Sequence, residues 1–471
     1  MILLPILLGA VVLLLPILPP IELSRASFPP GADSAVVIAG ERYRAGPVRQ
    51  LLLGRHYREL WTVPLKVEVL KLAEFDGGLI ASKEGGHRET RSLHFISAIG
   101  RHFVFRSVDK EVTRVIREDL RRTLLAWMLQ DQTSASHPAG ALVAAPLQAA
   151  VGLPLTHPRL VLLPDDARLG AFRVRFAGLL GTLQESPGEN LATPPDSNAA
   201  NHIKETDSLL ALLDAGSNNR VDERGFLTAR LLDLLLNDWD RHAGQWRWLP
   251  LRESWGTLWQ PDPIDRDQAF SRYSGVLLDL VRIREPKFSK FGPDYPALRG
   301  LTWNSMALDH RLLSGLSLPA WDSIAGFLTA RLTDSVISEA VRQMPEPYWR
   351  LSGARLLAAL EQRRGQLRSV ARQFYLQLAR RPELYCAGAG EILLARYEAD
   401  GSLQLTISRD DSSGAVAPWF ARRFLPAETE QVALYFRRGR PRIAVTGTPS
   451  GGLTVQLIHP NGQAEALTPA R

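Results

Sequence analysis

Polar and apolar residues alternate along the first third of the chain in the manner of β-strands. The segments 63–72, 91–96 and 101–108 follow a period of two, and a short turn, SAIGR, joins the last two. A continuous apolar run at 158–166 is typical of a buried strand, whereas helical spacing occupies about 111–152 and is broken at SHPAG. These patterns predict a small β-rich lobe at the start of the chain.

The middle of the chain is predicted to be helical, with one loop and one hairpin. Residues 185–202 are rich in Pro, Asn and Ser and predict a loop or linker. Helical periodicity runs from 206 to 236, and 303–385 is largely helical. Between them, residues 246–264 predict two strands with Gly256 at their turn.

A period of two returns after residue 389. The segment 391–409 predicts a hairpin with Asp400 and Gly401 at its tip, and three more strands follow in the same style. The chain therefore reads as an α+β protein: a β-rich lobe, a helical lobe and a β appendage with a sandwich-like pattern. The predicted boundaries are 1–26 for an N-terminal targeting segment, 27–170 and 171–385 for the two lobes, and 386–471 for the appendage.

The first 20 residues are apolar throughout and contain four prolines, which is typical of a signal-peptide core. Small residues at 24 and 26 predict cleavage after Ala26. The segment lacks Lys and Arg and is long enough for an uncleaved anchor, and Arg25, Arg42 and Arg44 would then favour a cytoplasmic body. We expect export to the periplasm or cell envelope, with membrane association through residues 2–22 as the open alternative.

Composition limits the partners more than the fold. The net charge is +7, but only seven of the 56 basic residues are Lys and no long basic block occurs. This distribution favours a solvated surface, and we expect no nucleic-acid partner. Cys386 is the single cysteine, so no intrachain disulfide can form, and we expect a small buried side chain there.

The segment NDWDRHAGQWRW (237–248) concentrates acids, an Arg, a His and three Trp after a strongly apolar helical run. Asp240 is followed five positions later by Gln245, and Asp267 follows the predicted hairpin shortly before Phe270. Phosphoryl transfer needs bound phosphates, a metal ion and a carboxylate that orients the attacking hydroxyl. We therefore expect Asp240 and Asp267 to face one cleft from the two ends of the hairpin.

Two motifs carry a family resemblance. DWDRHAGQW and PIDRDQAF resemble the D-R-H-x-x-N and D-x-x-x-F signatures of atypical kinases, a group that includes the HipA-type toxin kinases, the CotH spore-coat kinases and the secretory-pathway kinases. The chain from about 40 to 450 also resembles uncharacterised bacterial envelope proteins in which such a body often precedes an outer-membrane barrel. YRELWTVPLKVEVL, FVFRSVDK, QDQTSASHP and FAGLLGTLQE fit that family. The resemblance implies a two-lobed, protein-kinase-like body.

The resemblance also implies roles for the residues of the two motifs. Asp240 would receive or orient the hydroxyl proton, and Arg241 would belong to the same catalytic motif. Gln245 would occupy the position of the metal-binding amide, and Asp267 that of the main Mg²⁺ ligand.

On the β-rich lobe, EGGHRETRS, with Gly85 and Gly86, would cover the nucleotide phosphates. The strand that follows would present a phosphate-binding Lys, but Arg106 stands in that position and Lys110 lies four residues later. Arg can bind phosphate bidentately, but its guanidinium is not equivalent to the ammonium group of Lys. The acidic partner of this cation is also unassigned, and the candidates are Glu118, Asp119 and Asp131.

Three functions remain open at this point. The first is an ATP-dependent kinase-like phosphotransferase of the cell envelope that uses Mg²⁺ or Mn²⁺ and acts on an unknown acceptor. The second is a pseudokinase that binds an envelope partner without turnover, which export and Arg106 favour. The third, a metal-dependent hydrolase, would use Asp240, His242, Asp265 and Asp267, and the shortage of spaced His residues disfavours it.

Other residues of the motif have structural interpretations. We expect Trp239, Trp246 and Trp248 to fill the core, with the last two on one face of a strand. Asp238 is expected to cap the helix end, and His242 to bond the loop backbone. The pair of acids around Arg266 also fits a surface Asp–Arg pair.

Overall fold

The computed structural model describes residues 19, 21–85, 89–154, 157–186, 203–388, 390–409, 418–449 and 452–467. The apolar core of the predicted signal peptide, Gly86 and most of the predicted loop 185–202 lie outside these ranges. Within the described ranges, no helix is both long and apolar enough to cross a bilayer.

The strands follow the alternating pattern of the sequence closely. They are β1 Ser34–Val37, β2 Leu65–Val69, β3 Leu79–Gly85, β4 Ser92–Ser97, β5 His102–Ser107, β6 Arg159–Leu162, β7 Leu180–Glu185, β8 Lys204–Glu205, β9 Asn219–Val221, β10 Trp246–Glu253, β11 Gly256–Pro263, β12 Glu383–Gly388, β13 Glu391–Tyr397, β14 Leu403–Arg409, β15 Phe420–Phe424, β16 Gln431–Arg438, β17 Arg442–Thr446, β18 Thr454–Ile458 and β19 Ala464–Ala466.

Seven strands form the sheet of the N-lobe in the order β1-β2-β6-β7-β5-β4-β3. β3, β4 and β5 are successive antiparallel neighbours, and the predicted pairing of 91–96 with 101–108 is confirmed. β7 lies between β6 and β5, so the sheet continues beyond residue 170, the predicted end of this lobe. Its Gly181 lies against Phe105, where an added Cβ would come within 2.2 Å of the ring, so the close strand packing requires glycine.

Residues 21–26 run along the N-lobe and are part of its packing. Leu23 is buried in the same apolar cluster as Phe95 and Phe105. The backbone N–H of Ala26 donates to the Gly178 carbonyl at 2.8 Å. Cleavage after Ala26, which stays a prediction, would therefore remove a segment that contributes to this core.

The α-helices lie mainly after residue 200. They are Pro47–Leu53, Arg58–Thr62, Leu124–Asp131, Gly140–Ala150, Arg173–Phe176, Thr206–Ala215, Glu223–Leu236, Val276–Arg282, Leu298–Leu301, Met306–Leu313, Leu318–Arg331, Asp334–Val341, Glu346–Tyr348 and Ala354–Ala379.

The predicted continuous helix over 206–236 is wrong in one respect. The chain leaves the helix at Gly216, and β9 then pairs in parallel with β11 before the second helix begins. Asp222 caps that second helix, because its carboxylate accepts the Gly225 N–H at 2.9 Å. Every side chain from Phe226 to Leu236 is buried, so this helix runs through the centre of the C-lobe.

The C-terminal end of this central helix is held by Arg363 from the long helix Ala354–Ala379. Its guanidinium donates to the carbonyls of Leu234 at 2.6 Å and Leu235 at 2.8 Å. The backbone N–H of Phe270 donates to the third, on Leu236, at 2.7 Å. The last three carbonyls of the helix thus all have donors inside the core, and that of Leu234 also accepts the Asn237 N–H at 3.1 Å.

The appendage contains two four-stranded sheets, β12-β16-β18-β19 and β15-β14-β13-β17. Side chains of both sheets share one apolar cluster, including Leu393, Leu405 and Leu434, and Cys386 is buried there as predicted. The appendage begins with β12 at Glu383, close to the predicted boundary at 386. The α+β architecture of a β-rich lobe, a helical lobe and a sandwich-like appendage is confirmed.

Replacing Arg363 with Met should destabilise the C-lobe by about 3 kcal/mol, because the buried carbonyl of Leu235 would lose its donor and that of Leu234 would keep only the Asn237 N–H. Chemical denaturation of the full chain measures this free energy of unfolding. Arg372→Met, at an exposed position of the same helix, is the matched control and should change it by less than about 0.5 kcal/mol. Equal losses in both variants would contradict the capping role.

Candidate functional site

The residues after the central helix are positioned by its left-handed end. Asn237 has φ of +57°, a conformation that Asn tolerates better than most residues, and it turns the chain sharply toward the N-lobe. Its amide donates to the Ser271 carbonyl at 3.3 Å and to the Ser289 hydroxyl at 3.1 Å. The segment that contains Asp240 therefore starts from a fixed point beside the segment that contains Asp267.

Arg241 joins the two loops directly. Its fully buried guanidinium donates to the carbonyls of Ile264 at 2.8 Å and Asp265 at 3.1 Å, and to that of Gln245 at 3.0 Å. Sequence reasoning placed Arg241 in the catalytic motif, and the structure places it within that motif. Its bonds to backbone carbonyls indicate a positioning role rather than contact with a substrate.

Asp233, one turn before the end of the central helix, is the electrostatic centre of this region. Its carboxylate pairs with Arg230 at 2.6 Å, with Arg241 at 3.4 Å and, in a short contact, with Arg266. Burial opposes ionisation, but the three guanidiniums hold the pKa of Asp233 below its usual range. Sequence reasoning missed Asp233, because a single acid in an apolar helical run gives no signal of its partners.

Asp238 and Arg266 belong to the same buried network. Arg266 lies 3.3 Å from the Asp238 carboxylate, so the expectation of a surface Asp–Arg pair in the segment 265–267 is wrong. Burial raises the pKa of Asp238 to about 7 despite Arg241 and Arg266. The Asp238 carboxylate pairs with Arg241 and Arg266. Its backbone N–H donates to the Asp233 carbonyl at 2.9 Å and so caps the C-terminal end of the helix.

The remaining aromatic and polar predictions for the loop agree with the structure. Trp246 and Trp248 are buried and stack on one face of β10, with ring centroids 6.1 Å apart. Trp239 is buried beside Tyr273. His242 accepts the Gly244 N–H through Nδ1 at 3.0 Å, so it bonds the loop backbone as expected.

Asp240 lies in a partly buried position with one neutral partner. The Asn304 amide donates to its Oδ1 at 2.7 Å. Burial, followed by the nearby charge of Asp267, raises the pKa of Asp240 to about 6. Asn304 was missed from the sequence, since it lies 64 residues away in an ordinary helical region.

Lys110 and Asp267 form an ion pair across the two lobes. Lys110 Nζ lies 2.5 Å from Asp267 Oδ2, and the Lys110 residue is only 6% exposed. Burial disfavours its charged form, but the charges of Asp267 and Glu89 overcome this and keep the pKa of Lys110 above its usual value. Lys110, rather than Arg106, is thus the cation that contacts the predicted metal ligand.

None of the three predicted acidic partners contacts Arg106 or Lys110 within the described chain. Asp131 instead pairs with Arg58 at 2.6 Å, and Asp119 pairs with Arg117 at 2.8 Å. The helix Leu124–Asp131 still reaches Lys110, because Gln130 Nε2 donates to the Lys110 carbonyl at 2.5 Å. The backbone of Lys110 is therefore fixed by an amide while its ammonium is fixed by Asp267.

The predicted phosphate loop is described only in part. Gly85 ends β3, where an added Cβ would lie 2.7 Å from His94 Nε2, so packing against β4 already explains this glycine. Gly86 lies outside the described residues. A phosphate contact at either glycine stays a prediction.

Two neighbouring cavities lie between the sheet of the N-lobe and the loops of the C-lobe. The larger, of about 410 Å³, lies between the sheet residues Lys83, His94 and Gln184 and the C-lobe residues Trp246 and Ile264. None of these five residues was among the site residues predicted from the sequence.

The smaller cavity, of about 60 Å³, is lined by Thr90, Lys110, Asp265 and Asp267. Arg106 on β5 lines both cavities, so they adjoin at its side chain. Together they form one cleft with a larger, mixed end and a smaller, charged end.

A magnesium ion fits the donor chemistry of the charged end. Asp240, Asp265 and Asp267 lie close enough for Asp267 to raise the pKa of the other two carboxyls. Carboxylate oxygens are the ligands that Mg²⁺ takes, usually together with substrate phosphates. Among the described residues, no three His, Cys, Asp or Glu side chains enclose a cation by themselves, so a bound phosphate would have to complete the shell.

Gln245 ends the short 3-10 turn before β10 and is almost fully buried. Its backbone carbonyl accepts from Arg241 and from the Ile264 N–H at 3.1 Å, so the residue lies where the two loops join. The role predicted for its side-chain amide as a metal ligand stays a prediction.

Comparison with known proteins gives little further support. No protein-family model matches the chain, and no curated protein matches it. Among solved structures, it is similar to the proinflammatory kinase CtkA from Helicobacter pylori at 11% identity and a TM-score of 0.33, over 64% of this chain and 96% of that one. A likeness this low carries no argument about fold or activity.

Asp233→Asn should lower the free energy of unfolding by about 3–5 kcal/mol, because three buried guanidiniums would lose their shared counter-charge. Urea denaturation at neutral pH measures the loss. Asp279→Asn breaks an exposed pair with Arg282 and should cost less than about 1 kcal/mol. A small effect at Asp233 would show that the network is not needed for stability.

Asp240→Asn should stabilise the protein above pH 6 by about 1–3 kcal/mol. The folded state raises the pKa of Asp240 from 3.8 to about 6, so ionisation penalises folding as pH rises through that interval. The difference between variant and wild type should vanish below about pH 4, where both states bind the proton. Unfolding measured from pH 4 to 8 tests this, and a pH-independent difference would exclude the raised pKa.

Proposed function

We propose that this protein is a kinase-like phosphotransferase that uses ATP with Mg²⁺ or Mn²⁺. One observation supports the proposal most: the Lys110–Asp267 ion pair lines the charged end of a cleft between a β-rich and a helical lobe, and Asp240 lies close enough for both charges to act on its carboxyl. Phosphoryl transfer depends on this combination of a cation, a metal-binding acid and a hydroxyl-orienting acid.

The shape of the cleft is consistent with a nucleotide. In this proposal the base and ribose occupy the larger cavity, against β5, β7 and Trp246. The phosphates extend past Arg106 toward Lys110, where both cations neutralise them. The segment EGGHRETRS would then cover the phosphates, as the resemblance implies.

Asp240 is suited to orient a hydroxyl acceptor. A carboxyl with a pKa of about 6 is mostly ionised at neutral pH and still basic enough to share a proton effectively. Asn304 holds one carboxylate oxygen and leaves the other for the acceptor. The acceptor itself, whether protein, sugar or lipid, is not specified by these residues.

Asp267 and Gln245 are the residues we propose to hold the metal ion. A bound Mg²⁺ would neutralise the phosphate charge that develops during transfer. Lys110 would hold the Asp267 carboxylate in place before the ion arrives, since the pair is already formed. Asp265, whose backbone carbonyl is held by Arg241, would contribute negative charge beside it.

A pseudokinase that binds a partner in the cell envelope is the second candidate function. The observation that favours it is the same ion pair, because Lys110 occupies one oxygen of the predicted metal ligand. Arg106 in the usual Lys position favours it as well. Location in the envelope rests on the apolar N-terminal segment and is part of this proposal.

Binding of ATP with Mg²⁺ should stabilise the full chain by about 2.7 kcal/mol when the nucleotide is at a hundredfold excess over its Kd. Asp267→Asn should abolish the metal-dependent part of this stabilisation, and thermal unfolding with ATP, with and without Mg²⁺ or Mn²⁺, measures it. Asp279→Asn, an exposed acid outside the cleft, should behave as wild type.

The result of this experiment distinguishes the phosphotransferase from the pseudokinase. If ATP fails to stabilise the protein, with or without Mg²⁺ or Mn²⁺, both kinase activity and ATP binding are excluded. If wild type binds Mg²⁺–ATP but transfers no phosphate to water, to itself or to added acceptors, the pseudokinase interpretation is favoured. Transfer that is lost in Asp240→Asn while binding persists would support the phosphotransferase.

A further inference from the structure

A second cavity lies between the helical lobe and the appendage, away from Asp240 and Asp267. It has a volume of about 470 Å³ and is lined by the first turn of the central helix, by Trp255 at the tip of the β10–β11 hairpin and by β12 to β15 of the appendage. This volume is within the range of small-molecule sites. Nothing in the proposed phosphotransferase activity uses this cavity.

Glu391 on β13 is the clearest sign of a ligand. It is only 3% exposed and lines the cavity. Its Oε2 accepts the Gly388 N–H at 3.0 Å, whereas its buried Oε1 has no hydrogen-bond partner among the described residues. The Trp419 indole is near enough to affect this carboxyl but does not form a hydrogen bond of ordinary geometry with it. A buried acceptor without a donor destabilises the folded protein, and a bound donor would remove this cost.

A second carboxyl faces the same space at the start of the central helix. Glu223 lies against Gly315, where an added Cβ would come within 2.6 Å of its Oε2. Burial raises the pKa of Glu223 to about 7, although Arg422 partly opposes this. Near neutral pH this group can therefore both donate and accept hydrogen bonds.

Arg311 supplies a donor on the opposite side. It pairs with Asp214, and its guanidinium lies 3.6 Å above the Tyr385 ring. Its buried Nη1 has no hydrogen-bond partner in the described part of the chain. Two residues that line one cavity thus each carry a buried polar atom without a hydrogen-bond partner in the described part of the chain.

The charges around the cavity select the class of ligand. Glu223 and Glu391 disfavour an anion. A cation would seek the aromatic faces, but Arg220 already covers Trp255 at 4.1 Å, as Arg311 covers Tyr385. Trp419, beside Phe420, remains as an apolar surface. A neutral molecule that has both hydroxyl groups and an apolar face satisfies all of these conditions.

We propose that the cavity between the helical lobe and the appendage binds a neutral saccharide. Sugar hydroxyls donate to Glu391 Oε1 and accept from Arg311 Nη1, and one face of the ring packs on Trp419. This site is independent of the phosphotransferase proposal and would give the appendage a binding function of its own.

Isothermal titration of the full chain tests the site with glucose, N-acetylglucosamine and their β-1,4-linked disaccharides. Glucosamine and glucuronic acid serve as cationic and anionic probes of the same shape. We expect saturable binding of at least one neutral sugar, with weaker binding of its charged analogues. Glu391→Gln should weaken it about tenfold, since the amide oxygen must face the Gly388 N–H and the amide NH2 then replaces the acceptor that the sugar hydroxyl needs.

Two further variants make the result decisive. Trp419→Ala removes a half-buried ring and should weaken binding even if Glu391→Gln disturbs the appendage. Glu398→Gln, on the same sheet but paired with Arg396 outside the cavity, is the matched control and should bind as wild type. Failure of every neutral sugar to bind, equal or tighter binding of a charged analogue, or unchanged affinity in both cavity variants would overturn the proposal.

Discussion

The pairing of one buried carboxylate with three guanidiniums sets the geometry on which the candidate site depends. Asp233 lies inside the central helix, while Arg241 and Arg266 belong to the two loops that follow it. Isolated buried charges are very costly, so each of these residues can be buried only while the others stay in place. The distance between the two loops is therefore set by an ionic network as well as by backbone pairing.

This network explains why the loops are adjacent, and the helix end explains why they point toward the N-lobe. Arg363 and Phe270 satisfy the last carbonyls of the central helix, and Asn237 turns the chain out of it. Asp267 then pairs with Lys110, which belongs to the opposite lobe. The site thus joins elements from both lobes, each held by its own buried contacts.

The appendage is connected to the same central helix at its other end. Its strands close a cavity over Glu223, and the hairpin that carries the two acidic loops reaches the cavity with its tip at Trp255. Both elements that shape the cleft between the two lobes therefore extend to the appendage. This continuity makes the appendage part of one packed body rather than a separately tethered module, since Arg422 also donates to the Ser314 carbonyl and Thr429 to that of Ala379.

The sequence by itself determined most strands, because alternating polarity reflects the two faces of a sheet, and it predicted that Asp240 and Asp267 would lie near each other. It could not assign the partner of the N-lobe cation or the roles of Asp233 and Asn304. Those depend on specific side-chain contacts between residues 3 to 157 positions apart, which leave no periodic signal in the chain. Tertiary structure alone decided which charges are buried together, since the cost of burial is met only by partners that folding brings into contact.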